Sequence, residues 1–390
     1  MMNFKTIWQG NKFVALPSLF IVLLLALAGC GGGDEADLAP LTAAQMDQRF
    51  DSPAYAVHLS QWWDLGALER DLGLVQSMNF GWVKQKFAWR DIEGYEKGQY
   101  DWYRPDYIVD AAERYNVKLI VRIDRQPLWS VRDLPDEQIK NNQPPVKLQD
   151  FGDFCEVLAQ RYRGRIAAYQ VWNEPNLSRE WGEKPPNPAE YTALLKVCYE
   201  GIKRGDPKAI VISAGLAPTG TQLPAAMPDD EFLQGMYAAG AADYFDVLGL
   251  NAPGYKAPPE ISPDEALENP DLYGNGRWFV FRHVEDMRRI MVENDDAAKQ
   301  VAILEMGWTT DTRPGTPYEW HAVSEAEQAE YLRRAYEYAQ TNWEPWIGVM
   351  TTIFFADAAW SPDDEQYWWS IVLPDGTPRP AYTALKDMPK

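Results

Sequence analysis

From about residue 52 onward, short apolar runs alternate with stretches whose apolar positions recur three and four residues apart. Eight of the runs read as strands. Residues 55–59 form the first, and NFGWVKQKFAW gives a second through Lys86. VKLIVRID is the third, ending near Asp124, and IAAYQVWNE the fourth. KAIVISAG, FDVLGLNA, QVAILEMGW and GVMTTIFFAD supply the remaining four. Several are nearly continuous in Val, Ile, Leu and Phe, as parallel strands covered on both faces must be. Between them lie helical patterns. The clearest begins at Asn187, with Pro188 in its first turn and Glu190 placed to complete a capping box. Its stripe is Tyr191, Leu194, Leu195, Cys198 and Ile202, and Gly205 and Asp206 close it. A second starts at Ser324 with Glu327 three residues on, and a last one follows a PDG turn near the C-terminus.

Eight strand–helix units in one run predict an α/β protein, a single (β/α)8 TIM barrel with extended βα loops, over residues 52–390. No glycine-rich phosphate fingerprint follows the first strand, which counts against a dinucleotide fold. The longest irregular stretches, near 125–147, 216–230 and 252–276, each follow a strand end and so belong to the active face of such a barrel.

The N-terminus changes the picture of where this domain works. Lys5 and Lys12 precede an apolar run broken by Pro17, and Leu27-Ala28-Gly29-Cys30 follows. That pattern resembles a bacterial lipobox, with residues 1–29 as an export signal and Cys30 as the lipidated residue. Residues 30–51 would then be a flexible tether, and the domain would be anchored to a membrane outside the cytoplasm. Cys155 and Cys198 lie on apolar helix faces. They could pair in such a compartment, but the plainer expectation is two small buried hydrophobes. The formal charge of −20 excludes nucleic acid as a natural partner. His58, His283 and His321 are too scattered for a ligand set, so neither a metal nor another cofactor is expected. There are seventeen tryptophans, many of them expected in the core, and so many flat apolar faces also suit sugar rings.

Candidate chemistry comes from two strand ends. Glu174 stands between Asn173 and Pro175 after the fourth apolar run, with Trp172 before them. Glu305 ends the seventh run in LEMGW. In a barrel both would open onto the same mouth from opposite sides. Two carboxylates across a cleft are what glycosidic bond cleavage requires. The structural alternative for each is a strand-end acid in an ion pair.

WNEPN followed by LEMGW resembles the clan A glycoside hydrolases, a group that includes family 5 cellulases and family 39 β-xylosidases. The resemblance implies a retaining β-glycosidase acting on oligo- or polysaccharide, with Glu174 as acid/base and Glu305 as nucleophile. Their carboxyl groups would lie about 5–5.5 Å apart. It implies that Asn173 holds a sugar hydroxyl. Tyr255, Arg122 and Lys86 are candidate donors near the acids, and Trp172, Trp308 and Trp360 are either sugar platforms or core. Lys84 and Lys86 share one face of the second strand. That face is either the barrel interior or the helix layer, and both are costly for a charge without a partner. The chain departs from the clan after strand six, where Asn251 stands in place of a histidine. The competing readings are a non-catalytic carbohydrate-binding lipoprotein on the same barrel, and an adhesion protein with an apolar patch instead of a cleft.

Overall fold

The computed structural model describes residues 42–390. The export signal and Cys30 lie outside the described residues. Eight strands alternate with eight main helices: β1 (Ala54–Leu59), α1 (Leu65–Ser77), β2 (Trp82–Ala88), α2 (Tyr103–Arg114), β3 (Lys118–Asp124), α3 (Leu148–Arg161), β4 (Ala168–Val171) and α4 (Pro188–Gly205). The second half continues with β5 (Ile210–Ile212), α5 (Asp229–Ala238), β6 (Leu248–Pro253), α6 (His283–Glu293), β7 (Val301–Gly307), α7 (Glu325–Asn342), β8 (Ile347–Phe355) and α8 (Pro380–Asp387). All ladders are parallel, and β1 pairs with both β2 and β8. Bridges Ile212↔Val247 and Leu216↔Leu250 close the ring between β5 and β6. The (β/α)8 barrel expected from the alternation is the fold observed.

Strand periodicity decides what fills the barrel. Side chains two apart share a face, so β1 turns Ala54, Ala56 and then His58 inward. On β2 the series is Trp82, Lys84, Lys86, and on β3 it is Ile120, Arg122, Asp124. The lower members form an apolar floor with Ala168, Ile212, Ala302, Leu304 and Val349. Phe50 plugs this floor against Trp82, with ring centroids 4.9 Å apart. The upper members are polar, and those on β2 and β3 are charged. The shared face of Lys84 and Lys86 is therefore the interior.

Two expectations are corrected at the edges of the domain. Residues 46–50, assigned to the tether, dock on the barrel. Met46 and Phe50 are buried, Asp47 bridges Lys299, and the Gln300 side chain accepts from the backbone amides of Arg49 and Phe50 at 2.9 Å. The second correction concerns Cys155 and Cys198, which are bonded to each other rather than merely buried. They meet because α3 and α4 approach closely along glycines. A Cβ on Gly201 would lie 2.3 Å from the Gly152 carbonyl oxygen. The cap of α4 is as expected at Asn187, which accepts from the Ala189 and Glu190 amides. Its capping box is absent because the Glu190 carboxylate turns to the Trp181 indole N–H at 3.3 Å. Ser324 and Glu327 do form a box on α7.

The disulfide closes a 43-residue separation. On loop-closure grounds that contributes about 4 kcal/mol. Urea denaturation of a Cys155→Ala/Cys198→Ala double variant should show a loss of this order. A loss below about 1 kcal/mol would contradict the bracing role.

Candidate active site

Glu174 reaches the mouth because the chain leaves β4 abruptly. The strand stops at Val171, three residues earlier than the apolar run implied. Trp172 and Glu174 both take left-handed backbone, with φ of 74° and 41°. Such conformations cost roughly 1–3 kcal/mol each for residues with a Cβ and persist only where surroundings enforce them. The surroundings are specific here. The Trp172 indole is driven into the core, packs edge-on against Trp181 and Phe151, and donates to the Glu180 carbonyl at 2.9 Å. Asn176 pins the segment to the next loop, donating to the Ala217 and Met227 carbonyls and accepting from the Ala217 amide. Glu174 then accepts from the Asn251 amide group at 3.0 Å and from Arg179 at 3.3 Å. Burial, and next the charge of Glu305, raise its pKa to about 7.

Glu305 is aimed by a different irregularity. Leu250 pairs with Ile303, but the next residue, Asn251, pairs with Glu305. Leu304 is thus an extra residue in β7, a bulge that lets Leu304 fill the floor while Glu305 faces the mouth. One Glu305 oxygen accepts from the Lys84 ammonium at 3.0 Å and lies 3.5 Å from Arg122. Lys84 also donates to the Leu304 carbonyl at 3.0 Å. Burial lowers the Lys84 pKa to about 8, against the pull of Glu305 and with the help of Arg122. Burial alone would lower that of Arg122 too, but Asp124 and Glu305 more than offset it. His58 stands 3.7 Å from Glu305 and is neutral, because burial and then Lys84 depress its pKa.

A cavity of about 1080 Å³ collects these groups. Of the sequence candidates, Glu174, Glu305, Asn173, Arg122, Lys86, Tyr255 and Trp360 all line it. Asn173 accepts from Arg122 at 3.1 Å, and Trp360 stands edge-on to Phe354 at the rim. Tyr255 donates to the Pro218 carbonyl rather than to Glu305. Trp172 and Trp308 are corrections. Both are fully buried, and the Trp308 indole donates to the Ala257 carbonyl beneath a loop. The three long insertions all reach the cavity, through Arg125, Thr219 and Tyr255 among others. Sequence reasoning passed over Arg179, gave no site role to His58 or Asn251, and for Lys84 named a pairing with substrate or an acid such as Asp124 rather than with Glu305. Lys84 had a signal, a lysine at an inward strand position that needs a carboxylate. Among the described residues no group of three or more His, Cys, Asp or Glu is placed to hold a metal ion.

The fold is one that solved glycoside hydrolases share. A family 39 glycoside hydrolase from the gut symbiont Bacteroides cellulosilyticus superposes with a TM-score of 0.63 at 20% identity, over 87% of this chain and 64% of that one. The present chain therefore spans less than two thirds of that protein's length. A GH5_18 protein from Streptomyces cattleya, solved in complex with GlcNAc, gives 0.59 at 14% identity, covering 87% and 80% of the two chains. A GH10 endoxylanase from a sugarcane soil metagenome gives 0.52 at 15%, covering 86% and 97%. No family model and no curated protein sequence matches the chain. At these identities the likeness establishes the barrel itself, which is the one implied by the WNEPN and LEMGW resemblance.

The raised pKa of Glu174 has a stability consequence. Its proton is held more tightly in the folded chain than in the unfolded one, so folding is disfavoured as pH rises from about 4.5 through about 7. Glu174→Gln removes that penalty. Unfolding measured at pH 8 should show the variant more stable, by on the order of 2–3 kcal/mol, with no gain near pH 4.5. A variant no more stable at pH 8 than at pH 4.5, relative to wild type, would contradict the burial account.

Proposed function

We propose that this chain is a retaining glycoside hydrolase of β-linked sugars, with Glu174 as acid/base and Glu305 as nucleophile. The observation that carries the reading is the unequal surroundings of two carboxylates lining one cavity. One is mostly buried, with its pKa raised to about 7, and can hold a proton at neutral pH. The other lies against the cations of Lys84 and Arg122. In the first step Glu305 attacks the anomeric carbon while Glu174 protonates the departing glycosidic oxygen. Forming the glycosyl ester removes the charge of Glu305, which is one of the two main causes of the raised Glu174 pKa. Glu174 then becomes a stronger acid with a more stable carboxylate, and it accepts a proton from the water that cleaves the ester. Asn173, oriented by Arg122, would hold a hydroxyl of the reacting sugar, and Trp360 would offer a stacking face at the rim.

The same proposal places the domain outside the cytoplasm, anchored through a lipid on Cys30. The lipobox-like residues support this, as does a disulfide of the kind that persists in oxidising compartments. Cys30→Ser should shift the protein from the membrane fraction to the soluble fraction of the producing cell.

Tests of the chemistry follow from the roles. A panel of aryl β-glycosides should include at least one substrate, and Glu174→Gln should lower kcat/KM on it by about 100-fold or more. Activity should fall as pH rises through about 7, where Glu174 loses the proton it must donate. A 2-fluoro glycosyl donor should label Glu305. Sugar binding with no turnover and no labelling would instead favour the carbohydrate-binding reading.

A further inference from the structure

The charges around the cavity are not all paired. Four cations lie on β2 and β3 and just past the end of β3: Lys84 beneath the cavity, and Lys86, Arg122 and Arg125 lining it. Two carboxylates answer them. Glu305 is taken by Lys84 at 3.0 Å with Arg122 behind it, and Asp124 is taken by Arg122 at 3.0 Å. Asp91, the other acid near Lys86, is occupied by the Trp62 indole N–H at 2.8 Å. Among the described residues the Lys86 ammonium and the Arg125 guanidinium have no hydrogen-bonded or ion-paired partner. Both are half-buried and both line the cavity.

Neither is there by accident of an open surface. Lys86 follows from strand parity, two residues above Lys84. Arg125 sits in left-handed backbone with φ of 65°. That strained turn is held from both sides, its amide by Asn142 at 3.0 Å and its carbonyl by the Arg90 amide at 2.8 Å. A half-buried cation with no carboxylate in direct contact is unfavourable, and this chain carries a net charge of −20 from which such partners could have been drawn. Further acids line the same cavity: Glu174, Glu180 and Glu183 beyond β4, and Asp357 and Glu365 beyond β8. Glu174 is paired with Arg179 and Glu183 with Lys140, and the Glu180 carboxylate accepts from Asn142.

We infer that Lys86 and Arg125 form a subsite for an anionic substituent on the sugar, a carboxylate or a sulfate ester, so that the ligand class is an acidic glycan. As a statement about substrate this rests on the hydrolase reading. As a statement about binding it stands alone.

The test uses matched pairs of oligosaccharides. Uronic-acid-containing fragments of glucuronoxylan, pectin and alginate are each compared with their carboxyl-reduced counterparts, and sulfated fragments with their desulfated ones. Binding to the full-length protein is measured by calorimetry at low salt, alongside hydrolysis. At least one charged member should bind about 10-fold or more tightly than its neutral twin, and the series in which it falls separates carboxylate from sulfate. Lys86→Met and Arg125→Gln should each erase most of that ratio, read as charged over neutral affinity within each variant. Loss of an unpartnered cation should leave the melting temperature of Lys86→Met at or above that of wild type, so misfolding does not mimic the result. If no charged member outbinds its twin, or the preference survives both substitutions, the inference is wrong. Charge-selective binding without hydrolysis of any member would sink the hydrolase reading alone, and hydrolysis of neutral members only would sink this inference alone.

Discussion

The contact on which the upper barrel depends is the buried pair between Lys84 and Glu305. An ammonium at the centre of a barrel is tolerable only with a carboxylate on it, and a carboxylate there needs a donor. Removing either partner would strand the other at a cost of about 3–5 kcal/mol. The pair therefore fixes two strands that are not neighbours, β2 and β7, across the interior. Above it lies a mouth that mixes charged groups with aromatic ones such as Phe354 and Trp360, and below it lies the apolar floor sealed by Phe50.

Both acids are delivered by breaks in regular backbone. Left-handed turns at Trp172 and Glu174 throw one acid off the end of β4, and an extra residue in β7 turns the other inward. Regular strands would have pointed alternate side chains at the helices instead. Local irregularity at the candidate site and regularity elsewhere is the distribution expected when a scaffold is asked to hold strained groups.

Much of this was legible in the chain. The eight apolar runs, the caps at Asn187 and Ser324 and the two strand-end acids all follow from short-range patterns. What was not legible depends on distance in space. Nothing in VKQKF names the carboxylate that Lys84 meets 221 residues later. Trp172 and Trp308 flank the acids in sequence, yet backbone geometry sends their rings into the core. Tyr255 looked like a donor to Glu305, but the left-handed turn at its own position directs its hydroxyl to Pro218. The cysteine pair was underrated because helix spacing depends on glycines that a hydrophobic stripe does not reveal.

The cross-link between α3 and α4 spans the two helices that flank β4, the strand from which Glu174 departs. Thiols stay reduced where glutathione is abundant. The quadrant of the barrel carrying Glu174 would thus be less firmly braced in a chain whose thiols are reduced than in one whose disulfide has formed. Maturation of the site would then be coupled to geography, and a chain retained among reductants would hold its strained acid in a softer frame.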